Sequence, residues 1–192
     1  MAMAKVYIDA NQLLLDSYEL ALQVLESDFR PDFIVGVWRG GAPVGIAIQE
    51  LLTFLGVETD HIAIRTSHYT GIGQTANSVK VHGLHYLVDN VTAASNVLVV
   101  DDVFDTGRSV QQVLLDLDQQ CGLNAPTIKI ATPYFKPASN KTNLLPDFYL
   151  HQSEDWLVFP HELDGLSAAE VATDKPGLGH LRERILNYRK AH

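Results

Sequence analysis

The sequence contains a single cysteine, Cys121, among its 192 residues, so no disulfide can form within the chain and no cysteine cluster is available for zinc. Only 14 lysines and arginines stand against 23 aspartates and glutamates, and the net charge of −9 argues against a general nucleic-acid-binding surface. No apolar run approaches membrane-spanning length, and the N-terminus lacks the apolar core of a signal peptide. We therefore expect a cytoplasmic protein that binds neither nucleic acid nor membrane.

The composition is ordinary for a globular protein, with 46% hydrophobic and 19% charged residues. A chain of this length can bury one sizeable core, so we expect a single domain over residues 1–192. Apolar runs predict sheet strands, and apolar residues at helical spacing predict helices between them. The predicted strands cover residues 33–37, 61–65, 97–100 and 127–132, and the predicted helices cover 11–26, 44–55 and the residues that follow 110.

The most informative stretch is residues 97–110. Its first four residues are apolar and rich in valine, which is typical of a strand covered on both faces. Asp101 and Asp102 follow directly, and the turn Asp105-Thr106-Gly107-Arg108-Ser109 then leads into a helix. Ligands of open parallel sheets bind at the carboxyl ends of strands, and the free N–H groups of a helix start suit a phosphate. Carboxylates suit sugar hydroxyls or a metal, so the whole stretch predicts a phosphorylated sugar as ligand; helix capping is the alternative interpretation.

This stretch resembles the phosphoribosyl-pyrophosphate (PRPP) signature of the type I phosphoribosyltransferases. In that signature two acidic residues follow a hydrophobic strand, and after a short spacer come Thr-Gly, a variable residue and Thr or Ser. The resemblance runs from about Phe33 to Pro160 and implies an α/β fold, with a mainly parallel central sheet flanked by helices. It implies a core at about residues 28–135, a small C-terminal hood at about 136–165 with a helix at 177–190, and a homo-oligomer, either dimer or tetramer.

The resemblance also implies a role for each part of residues 101–109, which we call the central turn. Asp101 and Asp102 would engage the ribose hydroxyls directly or through Mg²⁺, which prefers one or two carboxylates plus substrate oxygens. Residues Asp105, Thr106, Gly107, Arg108 and Ser109 would hold the 5′-phosphate. In relatives that act on 6-oxopurines, the acid that matches Asp105 faces N7 of the base and is the proposed general acid/base. The other role open to Asp105 is to cap the helix that follows.

A second turn, Arg39-Gly40-Gly41, lies between a predicted strand and a predicted helix. Its two glycines expose backbone N–H groups and its arginine adds a fixed positive charge, a combination that suits a diphosphate. The turn is similar to the pyrophosphate-binding loop of the purine phosphoribosyltransferases. That family often has a cis peptide bond at this position.

Three further residues resemble base-binding groups of the purine branch. Lys136, at the end of a predicted strand, resembles the lysine that contacts the 6-oxygen of hypoxanthine, guanine or xanthine; its ammonium would meet a donor on adenine. Trp156 resembles the aromatic residue that stacks on the purine, with core packing as the alternative, and the Leu157 backbone could read the base edge. Glu162 or Asp164 lies where relatives bind a second metal.

Residues 66–77 are polar and rich in glycine, serine and threonine, which predicts either an exposed loop or a lid that closes during reaction. Relatives carry a mobile loop here with a Ser-Tyr pair. In this chain His68 separates Ser67 from Tyr69. Residues 79–81 are expected to pair back as a short β-arm.

The implied activity is transfer of the 5-phosphoribosyl group from PRPP to a 6-oxopurine base, with release of pyrophosphate, in purine salvage. The implied cofactor is Mg²⁺. Two alternatives remain open at this point. One is a phosphoribosyltransferase for another base, such as adenine, orotate or uracil, and the other is a regulatory protein that uses the same fold to sense nucleotides.

Overall fold

The computed structural model describes residues 5–69 and 78–191. Nine strands lie within these ranges: β1 Lys5–Tyr7, β2 Phe33–Trp38, β3 Asp60–Tyr69, β4 Ser78–His82, β5 Asn96–Val100, β6 Val103–Phe104, β7 Thr127–Phe135, β8 Phe148–Gln152 and β9 Trp156–Val158. Six α-helices accompany them: α1 Ala10–Glu26, α2 Gly41–Phe54, α3 His85–Asn90, α4 Arg108–Cys121, α5 Ala168–Thr173 and α6 Leu181–Ala191. None of these helices is long and apolar enough to cross a membrane.

Seven of the strands form one sheet. Along it β4, β3, β2, β5 and β7 are neighbours in that order, and β6 and β8 also pair with β7. Every pair is parallel except β3 with β4. Val100 of β5 and Phe148 of β8 both pair with Ala131, so β5 and β8 lie on opposite edges of β7. The predicted α/β fold with a mainly parallel central sheet is confirmed.

Strand β5 is central to this sheet and is fully buried from Val97 to Val100. Helix α4 packs its apolar stripe of Val110, Val113 and Leu117 into the same core cluster as Val97 and Val99 of β5. Burying one such side chain contributes roughly 1.5–3 kcal/mol relative to leaving it exposed. The strand and the helix are therefore held rigidly, and the turn between them, residues 101–107, is fixed at both ends.

The prediction of a loop that begins at residue 66 is wrong for its first four residues. Residues 66–69 continue β3 and pair in antiparallel register with β4, from Thr66 opposite Val81 to Tyr69 opposite Ser78. The pairing supplies partners for polar residues whose sequence shows no strand-like alternation. The predicted β-arm at residues 79–81 is confirmed as part of β4, and residues 70–77 lie outside the described part of the chain.

The chain is divided into two compact units. One spans Asp16–Glu154, and the other contains the described residues up to Leu15 together with those from Asp155 onward. In the second unit β1 and β9 form a two-stranded parallel sheet, and a small core contains Val158, Leu166 and Val171. Within the predicted hood at about residues 136–165, β8 takes its backbone partners from β7 of the main sheet, whereas β9 pairs with β1.

Candidate functional site

The predicted site residues of the larger unit gather at one edge of the main sheet. Strands β2, β5 and β7 are parallel neighbours, so their carboxyl ends point the same way. The chain leaves β2 into Arg39-Gly40-Gly41, leaves β5 into Asp101-Asp102 and leaves β7 into Lys136. Three stretches that are far apart in the sequence thus meet at the edge where open parallel sheets bind ligands.

The glycine turn and the acidic turn are in close contact. The Gly41 N–H donates a hydrogen bond to the Asp101 carboxylate. A Cβ atom at Gly41 would lie 2.1 Å from the Val100 carbonyl oxygen, and one at Gly40 would lie 2.1 Å from the Asp102 carboxylate. Only glycine fits this approach, and the sequence did not reveal it. The peptide bond between Trp38 and Arg39 is cis, as the resemblance implies.

Asp101 and Asp102 lie side by side with little solvent around them. Asp102 is only 7% exposed, and its N–H donates to Asp101 Oδ1 over 3.0 Å. Burial raises the pKa of the Asp101 carboxyl well above its usual range, and the neighbouring Asp102 charge raises it further. A ligand that donates hydrogen bonds or carries positive charge, such as a sugar diol or a divalent cation, would stabilise two adjacent carboxylates of this kind in their ionised form.

Residues 105–109, which are predicted to hold a phosphate and which we call the phosphate turn, lead into helix α4. Helix α4 begins at Arg108, and its N-cap residue Gly107, whose φ of 73° is left-handed, has no side chain that could cap the helix. The alternative role of Asp105 as the cap of this helix is therefore wrong. A Cβ atom at Gly107 would lie 2.7 Å from both the Phe104 ring and Thr142 Oγ1. A cavity of about 300 Å³ opens over the turn and is lined by Asp101 and residues 103–110.

Lys136 and Asp105 emerge beside each other. Short strand β6 pairs with the end of β7 so that Phe104 lies opposite Phe135, and the Lys136 N–H donates to the Phe104 carbonyl over 2.9 Å. Asp105 directly follows Phe104, and Lys136 directly follows Phe135. Lys136 is only 8% exposed, and none of the described carboxylates forms an ion pair with it. A nearly buried ammonium in that state can serve a ligand atom.

Trp156 and Leu157 belong to the second unit. The Trp156 side chain is 52% exposed, so core packing does not account for it. The Lys5 ammonium lies 5.6 Å from the centroid of its ring and forms an ion pair with Glu170 over 2.5 Å. Leu157 is buried, and its backbone pairs with Val6 on one edge of β9. The arrangement leaves an aromatic surface available for stacking.

Glu162, one candidate for a second metal ligand, already has a backbone partner. Its carboxylate accepts a hydrogen bond from the Phe159 N–H over 3.0 Å, while the Phe159 carbonyl accepts one from the Lys175 ammonium. Lys175 is 0% exposed, and burial lowers its pKa although the charge of Glu162 opposes that shift. The other candidate, Asp164, is exposed. No group of three His, Cys, Asp or Glu side chains within the described ranges could hold a metal ion.

The two residues predicted for the lid lie on the β3–β4 arm. Ser67 Oγ is 3.2 Å from His82 Nε2, across the antiparallel pair. Tyr69 pairs through its backbone with Ser78. The closing motion itself would involve residues 70–77, which are outside the described chain, so the lid stays a prediction.

Comparison with known proteins decides the family. Residues 5–164 match the model of the phosphoribosyl transferase domain. The chain belongs to this family. The hypoxanthine-guanine phosphoribosyltransferase of Lactococcus lactis subsp. lactis is 26% identical over 193 residues, which is 97% of this phosphoribosyltransferase and 95% of that protein.

Solved structures place the fold in the same group. The purine phosphoribosyltransferase from Pyrococcus horikoshii is 29% identical, with a TM-score of 0.65 over 85% of this chain and 97% of that one. The Helicobacter pylori xanthine-guanine-hypoxanthine phosphoribosyltransferase shares 22% identity and a TM-score of 0.66 over 98% of this chain and 100% of that one. The predicted phosphoribosyltransferase fold is confirmed.

Proposed function

We propose that this phosphoribosyltransferase transfers the 5-phosphoribosyl group of PRPP to a 6-oxopurine base, either hypoxanthine, guanine or xanthine. The observation that carries the proposal is the placement of Lys136 directly beside Asp105 at the carboxyl edge of the sheet. An ammonium donates to a 6-oxo group but meets another donor on the 6-amino group of adenine. Leaving such groups unpaired discriminates strongly against the wrong base. The names of the relatives that match along most of their length support this assignment.

The central turn binds the phosphorylated ribose. Asp101 and Asp102 accept hydrogen bonds from the two ribose hydroxyls. The N–H groups at the start of α4, with the hydroxyls of Thr106 and Ser109, hold the 5′-phosphate at the positive end of the helix dipole. The cavity of about 300 Å³ lies where this phosphate and ribose would sit.

The Asp101–Asp102 pair also fits Mg²⁺, because that ion prefers one or two carboxylates and completes its shell with water and substrate oxygens. When bound with PRPP, Mg²⁺ supplies positive charge that offsets the charge developing on the leaving diphosphate. The guanidinium of Arg39 contributes a fixed positive charge to the same group. The Gly41 N–H already serves Asp101, so it becomes available to the diphosphate only if that bond is exchanged.

In the reaction a purine nitrogen forms a bond to C1′ of the ribose as the bond from C1′ to the diphosphate oxygen breaks. Glycosyl transfers of this kind pass through an oxocarbenium-like transition state. Asp105 faces N7 of the base and takes up the proton that the purine loses, while Lys136 donates to the 6-oxygen.

Initial rates of pyrophosphate release test this proposal. With PRPP and Mg²⁺ we expect turnover of at least one of hypoxanthine, guanine and xanthine, and at least about 100-fold lower kcat/KM for adenine and orotate. Lys136→Met should remove this preference for 6-oxopurines. Lys129→Met on the same strand β7, well before its carboxyl end, is the matched control and should leave the preference intact. Faster turnover of adenine or orotate than of all three 6-oxopurines would refute the substrate assignment.

A further inference from the structure

One hydrogen bond joins the β3–β4 arm to the phosphate turn. Thr66 Oγ1 on β3 donates to Ser109 Oγ on the first turn of α4, over 3.4 Å and across 43 residues of sequence. Both residues are partly buried. Thr66 belongs to the stretch 66–77 that was predicted as a loop or a lid, and it has no part in the proposed reaction.

Packing, rather than this bond, sets the position of Thr66. Its partner in the antiparallel ladder is Val81 on β4. Val81 packs against the core cluster that contains Val110 and Val113 of α4. The base of the arm therefore rests on the helix that carries the phosphate turn, and the Thr66 hydroxyl is held next to Ser109 whether or not a ligand is present.

The direction of the bond decides what Ser109 can do. A serine hydroxyl has one proton to donate and two lone pairs that accept. Because Thr66 donates to the Ser109 oxygen, the Ser109 proton is left for another acceptor. Ser109 lines the cavity over the turn and lies in the first turn of α4. The acceptor that suits this position is an oxygen of an anion such as phosphate.

The Thr66–Ser109 hydrogen bond is long in this structure. At 3.4 Å it is long for an O–H···O bond, which is commonly 2.7–2.8 Å, so it contributes little in the absence of a ligand. When Ser109 donates to a charged oxygen, its own oxygen becomes a better acceptor, because hydrogen bonds in a chain polarise one another. The Thr66–Ser109 bond therefore strengthens when the phosphate binds.

We propose that Thr66 is a positioning residue for the 5′-phosphate of PRPP and acts through the hydroxyl of Ser109. The proposal rests on the proposed function, in which residues 105–109 hold that phosphate. A purely structural role would instead let Thr66 attach the arm to α4 with no effect on phosphate affinity. The two roles differ in what a change at Thr66 does to ligands that carry, or lack, the phosphate.

The test combines Thr66→Val with Ser109→Ala in a double-mutant cycle. Valine keeps the shape and β-propensity of threonine and removes the hydroxyl. The measured quantities are KM for PRPP, kcat, and the inhibition constant of ribose 5-phosphate against PRPP. Thr66→Ser keeps the donor, and Thr127→Val, at the amino end of β7, is the matched control for loss of a threonine hydroxyl.

We expect Thr66→Val to raise the KM for PRPP and the inhibition constant of ribose 5-phosphate by about three- to tenfold, the effect of one neutral hydrogen bond, with kcat nearly unchanged. Thr66→Ser and Thr127→Val should resemble the wild type. In the Ser109→Ala background Thr66→Val should have no further effect, because its route to the phosphate is gone.

The possible negative results distinguish failure of the phosphate site from failure of the role proposed for Thr66. If Ser109→Ala leaves ribose 5-phosphate affinity unchanged, the phosphate site of the proposed function is wrong. If Ser109→Ala weakens binding while Thr66→Val does not, or if the two effects add in full, the role of Thr66 is refuted and the phosphate site stands. Should Thr66→Val fold poorly, Thr66→Ala removes the same hydroxyl without adding a methyl group, and the cycle is measured with it.

Discussion

Replacing Gly41 by alanine tests the contact between the glycine turn and the acidic turn. The added Cβ would lie 2.1 Å from the Val100 carbonyl oxygen and 2.9 Å from Asp101 Cα. The shorter separation is about 1.3 Å less than the 3.4 Å at which ordinary contact begins. Both opposing atoms are backbone atoms, one of Val100 at the end of β5 and one of Asp101 directly after it, so no side-chain rotation can relieve the clash. The two turns must move apart.

The magnitude follows from that displacement. Overpacking of this kind costs typically about 1–3 kcal/mol, and a misplacement of about 1 Å in a reacting site can cost on the order of 100-fold in rate. We therefore expect Gly41→Ala to lower the urea midpoint of unfolding. We also expect it to reduce kcat/KM for PRPP by roughly 100-fold, since it separates Arg39 from the Asp101–Asp102 pair.

Gly45→Ala on the same helix α2 is the matched control. Its Cβ would lie 3.6 Å from Ile34 Cγ2, an ordinary contact, and alanine is favoured over glycine by about 1 kcal/mol in a helix interior. This variant should be as stable as the wild type or more so, with unchanged kinetics. If Gly41→Ala matched the wild type in both the urea midpoint and kcat/KM, the close packing of the two turns would be wrong.

Three further predictions concern charged groups. Asp105→Asn should lower kcat by about 100-fold or more while the KM for PRPP stays within about twofold, because it removes a general acid/base but little phosphate affinity; equal turnover in steady-state kinetics would exclude that role. The raised pKa of Asp101 means that fold stability falls as the pH rises above the ordinary aspartate value, since the carboxylate must then ionise in a desolvated place. Asp101→Asn should remove that fall in urea titrations at several pH values, raise stability at neutral pH and lower activity. The lowered pKa of Lys175 has the opposite effect on the pH dependence of stability. Because the unfolded chain binds this proton more tightly, stability should rise as the pH approaches 10.5, and Lys175→Met should abolish this rise. At neutral pH the same variant should lose no more than about 1 kcal/mol, because the Phe159 carbonyl loses the Lys175 ammonium but keeps the Glu162 N–H as a donor.

The central turn could be predicted from the sequence because its information is local. The valine run, the two acids, Gly107 and the apolar stripe of α4 each report on their own neighbourhood, and together they fix a strand, a turn and a helix start. The Arg39-Gly40-Gly41 turn was found in the same way. Its contact with Asp101 was not, because a tertiary approach between two turns leaves no trace in either segment.

The errors lie where pairing partners decide the structure. Residues 66–69 are polar and resemble a loop, yet β4 pairs with them, and residues 148–152 join the main sheet because the edge of β7 accepts them. Lys175 gave no signal, since lysine is ordinarily exposed and its burial depends on the turn at Phe159. Helix α5 was missed although its capping box, Ser167 with Glu170, is visible in the sequence.

A crystal structure of the protein grown with PRPP and Mg²⁺ would show where the 5′-phosphate of PRPP binds. We expect the 5′-phosphate within hydrogen-bond distance of the N–H groups of residues 106–109 and the Ser109 hydroxyl, with the ribose hydroxyls at Asp101 and Asp102. A phosphate bound elsewhere in well-ordered crystals, with this turn free of ligand, would contradict this expectation.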